Sequence, residues 1–301
     1  MHRSLLAPGL SEDAKKALRR STKTLDSQRG SDNRPLESTV RGQHHGDTEV
    51  IRQHWDARAG TFDDDPGHGF TSDRQREAWL DLLARLTGRA PQRVLDVGCG
   101  TGSLALCFAE LGHVVSGVDL SPEMIRQARR KAERALQQVD YRVGDAASLD
   151  LADETFDLVV ARHVIWNLPD PDRGVTEWLR VLRPGGRLVL IEGKWADNEA
   201  LAHRNARPMA RAFAWILDVA AVVMPRGRLR QRVLNKKYRL LELQLPFSGG
   251  PTAKRLAELL ERHSLRSVEM EPLMDPLLWG EAPHYPRYVM TGVRAPHEEP
   301  T

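Results

Sequence analysis

The chain has 301 residues, 41% hydrophobic and 28% charged, enough to bury one large core with additions or two small ones. A formal net charge of +3 neither demands nor excludes a polyanionic partner. No uninterrupted apolar run reaches the roughly 18–20 residues of a membrane span. Cys99 and Cys107 are badly placed to pair and no secretory leader is evident, so a reducing, cytoplasmic setting is expected.

Residues 1–45 are rich in Ser, Arg, Lys, Gly and His and are expected to form a disordered tail, with a short helix over Glu12–Arg20. A regulatory or nucleic-acid-binding arm is one reading of this tail; the composition favours a passive one. Residues 46–294 are expected to form a single domain and 295–301 a second tail. Helical spacing runs over Thr48–Phe62 and Thr71–Leu86, with Trp55, Trp79, Leu82, Leu83 and Leu86 as candidate buried positions. Strands are then expected at Arg93–Val97, Val114–Asp119, Tyr141–Val143, Phe156–Ala161 and Arg187–Ile191. Helices alternate with them over Gly102–Leu111, Ser121–Leu136 and Asp172–Leu182, the last stopped by Pro184-Gly185-Gly186. Ser121-Pro122 supplies a capping hydroxyl and a first-turn proline. Repeated strand–helix–strand units imply a parallel sheet covered on both faces, with ligands beyond the carboxyl ends of its strands.

Residues 194–251 depart from this pattern. They contain an apolar helix, Pro208–Met224, and a basic run, Arg226–Arg239, on which Leu229, Val233 and Leu240 keep helical spacing. The apolar helix suits either a cap over the acceptor or a homodimer surface. The basic run would attract RNA or an anionic substrate, but its spacing favours a solvated helix face, and no aromatic stacking platform accompanies it. Thr252–His263 reads as an amphipathic helix with Leu256, Leu259 and Leu260 inward, followed by strands at Val268–Pro272 and Arg287–Val293.

The most informative stretch is Asp96-Val97-Gly98-Cys99-Gly100-Thr101-Gly102, which follows the first strand and opens the first helix of the repeat. Backbone N–H groups can approach a ligand closely there. The spacing is Asp-x-Gly-x-Gly-x-Gly, so the third glycine comes one residue too early for a dinucleotide fingerprint. Asp96 would repel a pyrophosphate and suits a cationic amino group. Asp119, about 20 residues on, ends the second strand where an acid accepts from two ribose hydroxyls.

By these residues the sequence resembles the class I S-adenosylmethionine-dependent methyltransferases, in their broad small-molecule branch, over roughly Trp55–Arg294. The resemblance implies an α/β, Rossmann-like fold: a seven-stranded, mostly parallel sheet with helices on both faces, a helical N-terminal lid and a helical insertion after the fifth strand. It implies that Asp96, Gly98, Cys99, Gly100 and Gly102 hold the methionine portion of S-adenosylmethionine, and that Asp119, Leu120 and Met124 hold the ribose side. Asp145 and Ala146, in Gly144-Asp145-Ala146, match the adenine motif. Arg162 lies beside the cofactor, and Trp55 and Phe62 form a lid over it, with Arg58 reaching a carboxylate. S-adenosylhomocysteine is the implied product, and the acceptor is a small molecule methylated on oxygen, nitrogen or carbon.

Transfer from a sulfonium methyl needs alignment and a usable acceptor lone pair, and requires no metal. His163 is the candidate base, with a packed wall residue as the alternative reading. Glu192, after the fifth strand, is the second catalytic candidate. Trp166, Asn167, Lys194, Trp195 and the turn His284-Tyr285-Pro286 flank the same region. Polymer methylation and non-catalytic cofactor binding remain alternatives, although Asn167-Leu168-Pro169-Asp170 stands where base- and glutamine-methylating relatives carry an Asn-Pro-Pro-Tyr tetrapeptide.

Overall fold

Short apolar strands alternating with amphipathic helices set the architecture. The computed structural model describes residues 36–65, 67–88, 90–196, 228–263 and 265–296. The tail up to residue 35 with its expected Glu12–Arg20 helix, the apolar helix Pro208–Met224 and the last five residues lie outside them. Helix α1 (Leu36–Arg58) begins within the segment expected as tail and ends before a 3-10 turn, Phe62–Asp64. Helix α2 (Asp73–Thr87) is capped by the Ser72 side chain, which accepts from the Gln75 N–H. Then come β1 (Arg93–Val97), α3 (Ser103–Glu110), β2 (Val114–Asp119), α4 (Pro122–Arg134), β3 (Val139–Val143) and β4 (Phe156–Arg162). A 3-10 turn (Ile165–Asn167), α5 (Pro171–Val181) and β5 (Leu182–Gly193) follow. The chain closes with α6 (Arg228–Glu242), α7 (Ala253–Glu261), β6 (Leu265–Pro272), α8 (Pro276–Trp279) and β7 (Arg287–Arg294).

The seven strands form one sheet in the order β3-β2-β1-β4-β5-β7-β6. β7 runs antiparallel to both β5 and β6, and the remaining pairings are parallel. The expected seven-stranded, mostly parallel Rossmann-like sheet is what forms. Pro184-Gly185-Gly186 is the local surprise: β5 starts at Leu182, paired with Phe156, and resumes pairing at Arg187 opposite Leu158. The Pro-Gly-Gly segment is therefore an irregularity inside a long strand, because pairing begins before it.

Alternating strand residues split between two cores. Leu95, Val97, Val159, Ala161, Leu188 and Leu190 pack with Trp178 and with Leu256, Leu259 and Leu260 of α7. Val94, Leu158, Val160, Val189 and Ile191 pack on the other face with Trp79, Leu83, Phe108, Ile125 and Trp279. A strand buried on both sides explains the near-continuous apolar runs of β1, β4 and β5. On α6 Leu234 and Tyr238 are buried, whereas Val233 and Leu240 of the expected stripe are half-buried and Arg232, Lys236 and Arg239 are exposed. No helix of the described residues is long and apolar enough to cross a membrane.

Candidate active site

Every parallel strand delivers its carboxyl end to one rim, and a cavity of about 390 Å³ opens there. The antiparallel β7 reaches the same rim with its first residue, Arg287, paired with Gly193 of β5. Along the rim, Asp96 and Asp119 stand at the carboxyl ends of β1 and β2 and Asp145 follows β3, whereas Arg162 ends β4, His163 follows it and Arg287 begins β7. The cavity thus has an acidic half and a cationic half.

In the acidic half the glycine loop bends through left-handed backbone at Gly98 (φ 62°) and Gly100 (φ 54°). A Cβ on Gly98 would lie 2.4 Å from Val164 Cγ2, and one on Gly100 would lie 3.2 Å from Phe62 Cε1. Only glycine combines that torsion with that approach. Asp119 ties the loop to the next helix: its Oδ2 accepts from the Gly100 N–H at 2.8 Å and its Oδ1 from the Ser121 N–H at 2.8 Å. Asp96 is buried, and its Oδ2 has no hydrogen-bond partner. Burial pushes the Asp96 carboxyl up to about 7 and that of Asp119 up to about 6. Asp145 lines the cavity and accepts from the Ala147 N–H at 2.9 Å, shaping the turn that carries Ala146. Leu120, Met124 and Cys99 complete this wall, and burial holds the Cys99 thiol in its neutral form.

The cationic half is walled by aromatic rings. Trp166 meets Trp195 edge-on at 5.3 Å and Trp55 at 6.3 Å. His163 meets the Trp195 ring edge-on at 5.2 Å. Its backbone is left-handed (φ 56°), held by its N–H to the Ile191 carbonyl at 3.0 Å. A non-glycine residue in that conformation is uncommon and clusters at functional sites. Burial and the charges of Arg162 and Arg287 hold its imidazole neutral, well below the usual histidine range.

Glu192 sits behind His163 rather than on the cavity wall. Its Oε1 accepts from the N–H groups of Val164 (3.0 Å) and Ile165 (3.1 Å). Its Oε2 lies 3.7 Å from His163 Nδ1, and neither atom has another partner. Burial raises the Glu192 carboxyl to about 8. The unfolded chain ionises this group near pH 4, so between there and pH 8 the folded state holds the extra proton and stability falls as pH rises. Asp96 adds the same slope up to about 7. The buried His54 and His68, lowered to about 4, act with opposite sign only below about 6.5. The ligand-free protein is therefore expected to melt lower at pH 8.5 than at pH 7, with Glu192→Gln flattening the difference. A melting temperature that rises over that interval would contradict the assignment.

The lid closes over the loop. Phe62 stacks on His68 at 4.3 Å and meets Trp55 edge-on. Asp63 accepts from Thr101 Oγ1 at 2.5 Å. Lys131 Nζ donates to both Asp63 oxygens (2.9 and 3.1 Å), to Thr101 Oγ1 and to Ser103 Oγ. One ammonium on α4 thus latches the lid to the glycine loop. Lys131→Met leaves Asp63 without its counter-charge, and S-adenosylhomocysteine is expected to dissociate about 10-fold faster by stopped-flow tryptophan fluorescence. An unchanged off-rate would dismiss the latch.

Of the residues expected at the site, Asp96, Gly98, Cys99, Gly100, Asp119, Leu120, Met124, Asp145, Ala146, Arg162, His163, Trp55 and Phe62 all line this cavity. Gly102 does not. It is the left-handed N-cap of α3 (φ 82°), where a Cβ would strike the Tyr141 hydroxyl at 2.3 Å, so its part is to let the helix pack. Glu192 is likewise off the wall, because its carboxyl is consumed in capping the turn after β4. Arg58, expected to reach a ligand carboxylate, is ion-paired with Asp65. Asp63, His68, Lys131 and Arg287 were not singled out from the sequence. The signal for Arg287 is topological: an antiparallel last strand starts at the rim where parallel strands end.

A family described as a methyltransferase domain matches residues 95–190. A ubiquinone biosynthesis O-methyltransferase of Xanthomonas oryzae pv. oryzae is 36% identical over 180 residues, covering 57% of this chain and 70% of that protein. The ubiquinone/menaquinone biosynthesis C-methyltransferase UbiE of Roseobacter denitrificans is 40% identical over 131 residues, covering 42% of this chain. This chain spans only about half of that relative, 51%. Among solved structures, the cyclase SpnF shares the fold with a TM-score of 0.55 at 19% identity, over 82% of this chain and 95% of its own. That likeness is one of fold alone, and architecture by itself does not specify the reaction.

Proposed function

Because this chain belongs to the class I S-adenosylmethionine-dependent methyltransferases, we propose that it methylates a hydroxyl oxygen on a small aromatic acceptor, with His163 as the general base. The observation that carries this reading is the placement of a neutral, strained His163 among Trp55, Trp166 and Trp195 at the mouth of β4.

The residues present fit the cofactor. The unpartnered Asp96 Oδ2 is an acceptor for the amino group of its methionine portion. Gly98 and Gly100 leave the space that a Cβ would fill. Asp119 offers both carboxylate oxygens to the ribose hydroxyls while its remaining lone pairs fix Gly100 and Ser121. Phe62, Trp55 and the Asp63–Lys131 latch exclude water from the site. When bound, S-adenosylmethionine supplies an electrophilic methyl group on a positively charged sulfur.

Reactivity then rests on what the chain does to the acceptor. Trp55, Trp166 and Trp195 offer faces and edges that fix a planar ring, and fixed geometry supplies most of the acceleration in a displacement of this kind. His163 Nδ1 is buried against Glu192, which leaves Nε2 for the hydroxyl. Across this 3.7 Å gap the charge of an ionised Glu192 favours the tautomer with hydrogen on Nδ1 and leaves Nε2 as a base, whereas a protonated Glu192 removes that bias. Proton removal by Nε2 raises the oxygen's nucleophilicity as the new bond to carbon forms. Glu192 is a positioning residue in this scheme, setting the tautomer of His163 from behind.

The relatives named above act in quinone biosynthesis, which supports a ring-bearing acceptor. Arg232, Lys236 and Arg239 serve here as a solvated helix face rather than a polymer track. The test is incubation with methyl-labelled S-adenosylmethionine and a panel of phenols, catechols, hydroquinones and aryl amines, read by mass spectrometry. O-methylated products support the reading, and labelling confined to amines or to ring carbon overturns it.

A further inference from the structure

The cationic half of the cavity holds a charge that the scheme above does not use. Arg287 reaches the cavity from the start of β7, with its guanidinium stacked on Trp279 at 4.0 Å. Trp279 is itself buried, with its indole N–H donated to the Leu273 carbonyl at 2.8 Å. The platform under the guanidinium is therefore rigid. Two glycines clear the way: a Cβ on Gly193 would lie 3.2 Å from Arg287 Cγ, and one on Gly67 would lie 3.1 Å from its Nη1.

Among the described residues, this guanidinium has no hydrogen-bond or ion-pair partner. Glu281 acts on it only through its field, and burial is the larger influence. The neighbouring Arg162 differs. It donates to the His68 carbonyl at 2.7 Å, lies over Trp79 at 5.2 Å, and feels the Asp96 charge. The carboxylates lining the cavity are Asp96, Asp119 and Asp145, all on the opposite half. A half-buried cation without a counter-ion costs stability unless a ligand completes it.

We propose that Arg287 anchors a carboxylate on the acceptor, so that the substrate is an acidic aromatic hydroxyl compound rather than a neutral phenol. This rests on the O-methyl transfer reading of the same cavity. One face of the guanidinium is covered by Trp279, leaving its edge N–H groups as a planar fork, and a planar carboxylate matches that fork in bidentate geometry. His163 lies 5.8 Å from the same Trp279 ring. The base and the anchor are thus neighbours across one indole, and an acid held by Arg287 carries its ring past His163 toward Trp166 and Trp195. Tyr285, two residues before Arg287 and also on the cavity wall, is half-exposed at the entrance.

A second source of carboxylate exists in the cofactor itself, and the experiment separates the two. The full chain is saturated with S-adenosylhomocysteine, then titrated calorimetrically with 3,4-dihydroxybenzoate and with its neutral amide, for the wild type, Arg287→Gln and Arg287→Lys. The acid is expected to bind the wild type about 10-fold more tightly than the amide. Arg287→Gln is expected to erase that preference by weakening the acid alone, and Arg287→Lys to restore part of it. S-adenosylhomocysteine affinity should stay within about threefold throughout. Equal binding of acid and amide by the wild type, or no binding of the acid, overturns the proposal. So does a loss in Arg287→Gln that falls mainly on S-adenosylhomocysteine, which would give the guanidinium to the cofactor's carboxylate. Failure of the wild type to bind S-adenosylhomocysteine at all removes the cofactor reading first, and this proposal with it.

Discussion

Asp119→Ala is expected to weaken S-adenosylhomocysteine binding about 100-fold. Two hydrogen bonds from ribose hydroxyls to a carboxylate are at stake, each worth about 1.5–3 kcal/mol when one partner is charged, and tenfold in affinity is about 1.4 kcal/mol. The same substitution strips the Gly100 and Ser121 N–H groups of their acceptor. The loop then loses the geometry set by Gly98 and Gly100 as well as its ribose contact. Asp119→Asn separates the two effects, since its amide oxygen still accepts from one N–H. It is expected to fall between the wild type and alanine. An alanine variant that binds within about threefold of the wild type would mean that the cofactor does not use β2.

His163→Asn is expected to lower kcat by about 100- to 10,000-fold, the range for removing a general base, with S-adenosylhomocysteine affinity unchanged. Asparagine is chosen because it tolerates the left-handed backbone that His163 adopts at φ 56°. The fold around Glu192, Val164 and Ile165 should then survive. Two readouts go beyond a structural role. An acceptor whose hydroxyl is already ionised at the assay pH should lose far less than one that must give up a proton. In the wild type, the rate should climb as pH approaches the value near 8 at which Glu192 ionises, because ionised Glu192 turns the Nε2 lone pair toward the acceptor. Glu192→Gln should abolish that climb while leaving cofactor binding intact. A kcat within about threefold of the wild type in His163→Asn would leave alignment by the tryptophan wall as the sole source of rate.

The cofactor half was legible in the sequence because its chemistry is local. Asp96 through Gly102 lie within seven consecutive residues on one strand-to-helix turn, and Asp119 follows from the length of one strand–helix–strand unit. The apolar runs of β1, β4 and β5 declared a doubly covered sheet for the same reason. Gly102 belonged to the same motif and yet packs against Tyr141, because spacing alone does not say which glycine faces a ligand and which faces the core.

The acceptor half was legible only in outline, since its residues come from distant segments. Tyr238 of α6 donates to Asn167 Oδ1 across 71 positions, much as Lys131 meets Asp63 across 68 at the lid over the cofactor half. No periodicity or motif records such meetings. Glu192 illustrates the limit: its place at the end of β5 was readable, but the side-chain direction that turns it behind His163 is set by the capping of Val164 and Ile165. Arg287 was hidden for a further reason. It was readable only as the first residue of a strand, and the pairing of β7 beside β5 is what brings it to the rim.

The measurement that tests the central claim most directly is calorimetric titration of the full chain with S-adenosylhomocysteine at pH 7.5. The cavity bounded by Asp96, Asp119 and the Phe62 lid predicts one saturable site per chain, abolished or strongly weakened by Asp119→Ala. A correctly folded protein that takes up no S-adenosylhomocysteine, or one whose Asp119→Ala variant binds as well as the wild type, would contradict it.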